Sequence, residues 1–232
     1  VPVVVTGDCT NVTTAAGCTA TATFTASGNH AGSGDSKSIT ILKQAVTPTI
    51  AANDKPYDGT PTATLKAVDG CTVAPKVGGD NVACTGSASF SSRNAGPGTV
   101  TSSDLTLTGS TAGNYDLTTT TATTTAEIFR LAVTVTAVAN TKVFDNTVSA
   151  AAVPSVSPAL GTGDQGHFSE TYDNPTVGTS KQLTPAGTVD DGNSGNNYIL
   201  SFSPQNLGTI TEAPTTTTVS VAPTTQQYSD QV

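Results

Sequence analysis

The sequence Lys55-Pro56-Tyr57-Asp58-Gly59-Thr60 returns downstream as Lys142-Val143-Phe144-Asp145-Asn146-Thr147. Each copy keeps a lysine, an aromatic residue, an aspartate, a residue suited to a turn and a threonine. An aspartate side chain accepts hydrogen bonds from its own downstream backbone, and glycine or asparagine tolerates positive φ. Each copy therefore predicts a tight turn, and the recurrence makes the motif the marker of a repeated structural unit.

Three further pairs of segments agree with the motif in their spacing. Gly79-Asp80 is matched by Gly163-Asp164. Gly113-Asn114-Tyr115-Asp116-Leu117 is matched by Asn196-Asn197-Tyr198-Ile199-Leu200, and Ala126-Glu127-Ile128 by Gly208-Thr209-Ile210. All the offsets are roughly 82 to 87 residues, a fixed period that indicates a tandem array. We predict two complete modules, residues 45–129 and 130–212, between the end of one module (1–44) and the start of another (213–232).

The composition favours an all-β fold. Only 11% of the residues are charged, Met and Trp are absent, and threonine, alanine, serine, glycine and valine dominate. No segment sums to a good helix, whereas Thr and Val are stiff at χ1 and pack well on a pleated surface.

Alternating apolar and polar residues locate several strands. Residues 104–109 alternate most clearly and place Leu105 and Leu107 inward, and residues 21–26 place Phe24 on a core face. Residues 127–135 carry one module into the next without a Gly/Ser linker, and residues 214–221 are expected to form the first strand of the following module. Tyr115 and Tyr198 recur at matched positions and, with Tyr57, are expected in the core.

The net charge excludes two classes of partner. At −8, with an isoelectric point near 4.4, the chain would be repelled by nucleic acid and by acidic membrane surfaces. No apolar run approaches the roughly 20 residues needed to span a bilayer, so membrane insertion is not expected.

The four cysteines form two local pairs along the chain, Cys9 with Cys18 and Cys71 with Cys84. Four cysteines allow three pairings, and the local one fits staples across adjacent strands or a loop base. The spacing does not favour zinc. Disulfides imply an oxidising compartment, hence an exported, extracellular protein.

Metal and catalytic sites have little support in the sequence. The oxygen-rich stretch around Asp190, Asp191 and Asn193 is a weak Ca²⁺ candidate, but a turn is favoured because no distal bidentate Glu follows. His30 and His167 are the only histidines; His167 lies near Asp164, yet a solvated loop histidine is favoured over a catalytic one. We therefore expect no catalysis and no cofactor.

The sequence offers two candidate covalent modifications. Lys55 and Lys142 invite an isopeptide bond, but a lysine stem packed over the neighbouring aromatic ring is favoured. Asn11-Val12-Thr13 is the one N-glycosylation sequon.

The order Lys-x-Tyr-Asp-Gly-Thr, Gly-Asp, Asp-Leu-Thr-Leu-Thr-Gly and Gly-Asn-Tyr-Asp-Leu resembles the YDG and MBG repeats of large bacterial surface proteins. Residues 50–128 match well, whereas residues 135–210 depart from the signature at Phe144 and Asn146. The segment 28–33 and the threonine-rich segment after residue 214 resemble the end and the start of bacterial Ig-like repeats. The resemblance implies tandem Ig-like or MBG-type β-sandwich modules in an elongated array, serving as spacers in exported adhesins.

The expected function is structural: a semi-rigid rod in bacterial adhesion or in an extracellular filament. The two incomplete ends either complete each other head to tail between chains, or join neighbouring modules of one chain. A carbohydrate- or surface-binding module is the alternative function, with a glycan as its partner. An enzyme is a distant third.

Overall fold

A computed structural model of the chain describes residues 1–13 and 16–220. Strands dominate, and one 3₁₀ turn, Ala112–Asn114, is present. The protein is therefore all-β, as the composition predicted. Among the described residues no helix has the length and apolar character that a membrane crossing requires.

The first thirteen strands precede Arg130. They are β1 (Val3–Gly7), β2 (Cys18–Phe24), β3 (Ser33–Ile39), β4 (Gln44–Ile50), β5 (Lys55–Pro56), β6 (Thr62–Ala63), β7 (Cys71–Ala74), β8 (Ala83–Thr85), β9 (Ala88–Phe90), β10 (Gly96–Ser102), β11 (Thr106–Thr108), β12 (Tyr115–Leu117) and β13 (Ala122–Phe129).

Seven strands follow. They are β14 (Leu131–Thr136), β15 (Asn140–Val143), β16 (Ser155–Ser157), β17 (Gln165–Tyr172), β18 (Gly178–Asp190), β19 (Tyr198–Ser203) and β20 (Gln205–Thr211). Only Arg130 separates β13 from β14, so the chain passes from one repeat to the next without a linker, as predicted.

The sheets repeat the same strand neighbours. The orders are β1-β2-β3, β5-β13-β10-β9-β6, β11-β8, β12-β4-β7, β16-β14-β19 and β15-β20-β18-β17. In both copies the short strand that contains the motif lysine pairs in parallel with the closing strand of its repeat, β5 with β13 and β15 with β20. The motif therefore occupies the same place in each repeat.

The residues divide into two compact units. The first comprises Val1–Ala132, Leu160–Gln165 and Val189–Ile199, and the second comprises Val133–Ala159, Gly166–Thr188 and Leu200–Val232. The first unit has a core cluster of Val46, Val73, Val82, Cys84 and Tyr115. The second has a smaller one of Ala137, Tyr172, Leu183 and Ile210. The boundaries at residues 44, 129 and 212 stay a prediction.

Two local expectations were wrong, and one predicted strand is longer than expected. Phe24 is 37% exposed, because a short sheet buries an alternating face only where a second layer covers it. Residues 214–220 form no strand, since alternation specifies a strand only when another strand pairs with it; Val221 lies outside the described residues. The strand predicted at residues 181–183 extends over the whole of β18, where Pro185 and Gly187 interrupt the pattern.

Candidate functional site

The motif lysine closes its own turn in both copies. Lys55 Nζ lies 2.8 Å from Asp58 Oδ1 and donates to the carbonyl of Thr60 at 2.8 Å. Lys142 Nζ repeats this with Asp145 Oδ1 at 2.7 Å and the carbonyl of Thr147 at 2.6 Å. Both lysine heads form ion pairs with these aspartates, and the two aspartates also accept hydrogen bonds from the backbone N–H two residues later.

These contacts explain why the motif combines its residue types. Asp145 accepts from Lys142, from the Thr147 N–H and from the Thr147 hydroxyl, and these bonds, the lysine first, lower its pKa to about 2. Burial opposes the shift at Asp58, but hydrogen bonds from Lys55 and Thr60 still hold its pKa below the ordinary value. We call each set of lysine, aspartate and threonine a clasp. In a clasp, the ammonium, carboxylate and hydroxyl groups hydrogen-bond mainly to one another and to the backbone of their own turn.

The motif tyrosine lies at the centre of a buried cluster. Tyr57 is 1% exposed, its hydroxyl donates to Asp164 Oδ2 at 2.8 Å, and its ring meets the ring of Tyr198 edge-on at 5.4 Å between centroids. The Tyr198 hydroxyl donates to the same Asp164 oxygen at 2.6 Å and accepts from the Gly161 N–H at 2.8 Å. One carboxylate oxygen thus serves two phenols. All these residues belong to the first unit.

Burial and the carboxylate keep both phenols neutral. Burial, then the hydrogen bond to Asp164 and its negative charge, raise the pKa of Tyr57 to about 12. Burial, then the bond to Asp164, also raise the pKa of Tyr198 well above its usual range. Each ring therefore remains a hydrogen-bond donor throughout the physiological range.

Arg93 neutralises the buried carboxylate and joins it to nearby loops. Its Nη2 lies 3.1 Å from Asp164 Oδ1, whose side chain is completely buried. That oxygen has no hydrogen bond of good geometry, so the ion pair provides its compensation. The guanidinium also donates to the carbonyls of Thr162 and Asp191. This planar fork of donors suits several acceptors at once.

The predicted Ca²⁺ stretch forms a turn. The Asp191 carboxylate accepts from the backbone N–H groups of Asn193, Gly195 and Asn197. Burial opposes ionisation of Asp191, but these three bonds lower its pKa. The described residues contain no group of three or more His, Cys, Asp or Glu side chains placed to hold a metal ion.

A pair of asparagines repeats a second contact. Asn197 Oδ1 accepts from the Ala95 N–H at 2.8 Å, and Asn114 Oδ1 accepts from the Val12 N–H at 2.9 Å. Asn114 Nδ2 also donates to the Asn11 side chain at 2.9 Å. The asparagine before each recurring tyrosine therefore accepts a hydrogen bond from the backbone of another loop, at Val12 or at Ala95. The sequon at Asn11 stays a prediction.

Among the described residues, the two histidine side chains take no part in the hydrogen bonds of this cluster. The backbone of His30 pairs with that of Ser27, and His167 is exposed on β17. Both local disulfides form as predicted, Cys9–Cys18 and Cys71–Cys84.

The two motif aromatics differ in burial. Tyr57 is 1% exposed, whereas Phe144 is 38% exposed and carries no hydroxyl. The clasp is thus common to both repeats, and the buried aromatic contact is made by Tyr57 alone of the two.

A family model named YDG domain matches residues 41–124 and again residues 129–207. The chain belongs to the YDG domain family. Each match contains one clasp, one Gly-Asp pair and one Asn-Tyr pair. No curated protein and no solved structure matched the chain.

Sequence reasoning missed Arg93 and understated Asp164. Arg93 is absent from the recurring segments, so no spacing could mark it. The Gly163-Asp164 recurrence was visible, but a Gly-Asp pair on a loop predicts only a turn. The contact of Asp164 with Tyr57 joins residues far apart in the chain, and such pairing leaves no local pattern.

Proposed function

We propose that this chain is a structural repeat segment of an exported bacterial surface protein or extracellular filament, in which tandem β-sandwich YDG domains form a semi-rigid rod. The observation that carries the proposal is the repeated clasp. In both copies the lysine, aspartate and threonine of the motif bond to one another and to their own backbone, which stabilises a turn.

Chain continuity supports the rod. A single residue, Arg130, lies between β13 and β14, and such a short connection restricts bending more than a Gly/Ser linker does. The two disulfides indicate an oxidising environment, which agrees with export. Low charge and threonine-rich strand faces also suit a spacer that holds a tip away from a surface.

Small-angle X-ray scattering on the 232-residue chain tests the rod. An elongated pair-distance distribution, with a maximum dimension well above that of a sphere of equal mass, is the expected result. A compact distribution would contradict the proposal. Electron microscopy of concentrated protein would then show whether the rods assemble into filaments.

The alternative, a carbohydrate-binding module, has less support. Sugars stack on exposed aromatic faces, but Tyr57, Tyr115 and Tyr198 are each buried to within 2% of full burial. A glycan array on which the chain binds a sugar, and loses that binding when an exposed aromatic is replaced, would favour the alternative over the rod.

A further inference from the structure

The frame that receives Tyr57 occurs a second time in the first unit. The Tyr115 hydroxyl donates to Asp80 Oδ2 at 2.5 Å and accepts from the Val77 N–H at 3.0 Å. The Tyr198 hydroxyl makes the same two bonds, to Asp164 and from Gly161. The phenol, carboxylate and loop N–H are therefore arranged alike in both frames.

The surroundings of the two frames also correspond. Asn114 holds the N–H of Val12 as Asn197 holds that of Ala95. The sequence Ile41-Leu42 precedes Ala45-Val46-Thr47 at the spacing at which Ile128-Phe129 precedes Ala132-Val133-Thr134. Leu42 therefore stands where Phe129 stands, beside the frame.

The second frame has no ring in the place of Tyr57. Among the described residues, the Asp80 side chain accepts a hydrogen bond from Tyr115 only, and it is half-buried, whereas the Asp164 side chain is fully buried. A cleft of about 450 Å³ opens there, lined by residues that include Asn11, Ile41, Leu42, Asp80 and Tyr115. Leu42 is 81% exposed. Of the described groups, none fills this space.

The strand that accompanies the motif is missing at the same place. In the first repeat the Tyr57 N–H donates to the carbonyl of Phe129 at 2.8 Å, and β5 pairs in parallel with β13. In the second, the Phe144 N–H donates to the carbonyl of Thr211 at 2.9 Å, and β15 pairs with β20. β3 lies just before Leu42 and thus corresponds in position to β13, which ends at Phe129. β3 is an edge strand of its three-stranded sheet. The described residues supply no parallel partner for it.

We propose that this cleft binds an extended Lys-x-Tyr-Asp-Gly-Thr segment supplied by a further YDG-type domain from outside residues 1–232. The segment adds in parallel beside β3 and Leu42, and its tyrosine packs against the Tyr115 ring and donates a second hydrogen bond to Asp80, as Tyr57 does with Tyr198 and Asp164. This inference rests on the proposed function, because it assigns the neighbour that a tandem rod requires.

The chemistry of the cleft selects tyrosine over phenylalanine. A half-buried carboxylate is stabilised by a second hydrogen-bond donor, which the Tyr57 hydroxyl provides to Asp164. The Phe144 turn of a second copy lacks that hydroxyl, and its strand β15 is already paired with β20. The occupant is therefore a tyrosine-bearing YDG segment.

A peptide with the sequence of residues 50–61 of this chain, labelled with a fluorophore, tests the site by anisotropy titration against the full chain. We expect saturable binding. A peptide with Phe in place of its Tyr should bind about tenfold more weakly, the usual effect of losing a hydrogen bond to a charged group.

Two chain variants locate the binding. Asp80→Asn keeps the side-chain shape but removes the charge, and should weaken binding about tenfold. Asp116→Asn removes the same charge from an exposed position on β12 and should leave binding unchanged. No binding to the unmodified chain, or equal binding to the Asp80→Asn variant, would overturn the proposal.

Sedimentation velocity separates the alternative occupants. The chain without peptide is expected to remain monomeric. Concentration-dependent oligomers that the Asp80→Asn variant abolishes would identify a second copy as the occupant and overturn the assignment. If the chain binds the peptide but is compact in solution, the rod is wrong and the binding site stands. If the chain is elongated but does not bind the peptide, the binding site is wrong and the rod stands.

Discussion

Tyr57 and Phe144 occupy the same motif position, yet their surroundings give them different energetic roles. Tyr57 is buried against Tyr198 and Asp164, whereas Phe144 is more than a third exposed. An aromatic residue contributes mainly through the area it buries and the partner its hydroxyl finds. The motif therefore forms the same turn in both repeats, but its aromatic ring is buried only in the first.

Alanine substitutions should separate these roles. Tyr57→Ala leaves a cavity and removes a donor from Asp164, so the free energy of unfolding should fall by about 3 kcal/mol or more. Phe144→Ala removes an exposed ring and should cost less than about 1 kcal/mol. Urea denaturation followed by circular dichroism measures both. Equal losses would mean that the two rings are equally buried in solution.

The raised pKa of Tyr57 predicts a loss of stability in alkali. The folded protein holds this pKa at about 12, and an unfolded tyrosine titrates near 10. Folding therefore favours the protonated phenol, and this contribution is complete below pH 10 and lost as the pH rises from about 10 to about 12.

Urea midpoints measured between pH 8 and pH 12 test this dependence. The wild-type midpoint should decline above pH 10, and the Tyr57→Phe variant should decline less steeply. It should retain part of the slope, because the pKa of Tyr198 is raised as well. An unchanged slope in the variant would contradict the assignment.

At the scale of an element, the motif turn has the same positive-φ conformation in both repeats, although glycine occupies it in one and asparagine in the other. Gly59 and Asn146 both have positive φ, +82° and +60°. A Cβ at Gly59 would lie 2.5 Å from the backbone N and O of Thr162, within the first unit. Asn146 carries a Cβ at the matched position. Glycine is therefore required at residue 59 by the close approach of the Thr162 backbone, and not by the positive φ alone, which an asparagine also adopts.

Exchanging the two turn residues tests this difference. Gly59→Asn introduces the residue that the second repeat uses, but the new Cβ must displace the Thr162 backbone, so we expect clear destabilisation, about 2 kcal/mol. Asn146→Gly should change the free energy of unfolding by less than about 1 kcal/mol. Thermal denaturation of both variants measures the effect. Equal tolerance would show that the loop around Thr162 yields easily.

The elements also show what the sequence could foretell. Leu105 and Leu107 were placed inward by alternation, and both pack inward, because the covering layer comes from nearby strands. Phe24 alternates equally well but is 37% exposed, and the neighbouring strands β1 and β3 are exposed along their whole length. Local patterns report what a strand would bury, whereas burial itself depends on partners that distant parts of the chain supply.

The candidate site was predictable in part for the same reason. The lysine, aspartate and threonine of each clasp lie within six residues, so the motif revealed them. The cluster of Tyr57, Asp164 and Arg93 depends on contacts between distant segments. No pattern of period two carries that information.

At the scale of the whole molecule, both disulfides lie in the first unit. Cys9–Cys18 and Cys71–Cys84 fall within Val1–Ala132, and the second unit contains no cysteine. Closing loops of these lengths stabilises by about 3 kcal/mol each in the chain-entropy model. Redox conditions should therefore act on one unit.

Hydrogen–deuterium exchange with and without reductant measures this asymmetry. After reduction, peptides from residues 1–132 should exchange faster, and peptides from residues 133–159 should keep their rates. The same comparison on a variant with all four cysteines replaced by serine provides the control, since reductant should then have no effect. A uniform rise across both ranges would contradict the prediction.

The clasps also bear on digestion of the folded protein. Trypsin must draw a lysine or arginine side chain into a deep acidic pocket before it cuts, and this chain offers nine such residues. Lys55 and Lys142 are held by their own turns, Arg93 by the carbonyls of Gly59, Thr162 and Asp191, and Lys181 by Asp173 and Asn174. The lysines that close the turns are thus also withheld from a protease, whereas the Lys37 side chain is 82% exposed, so cleavage of the folded protein should begin at residues of that kind.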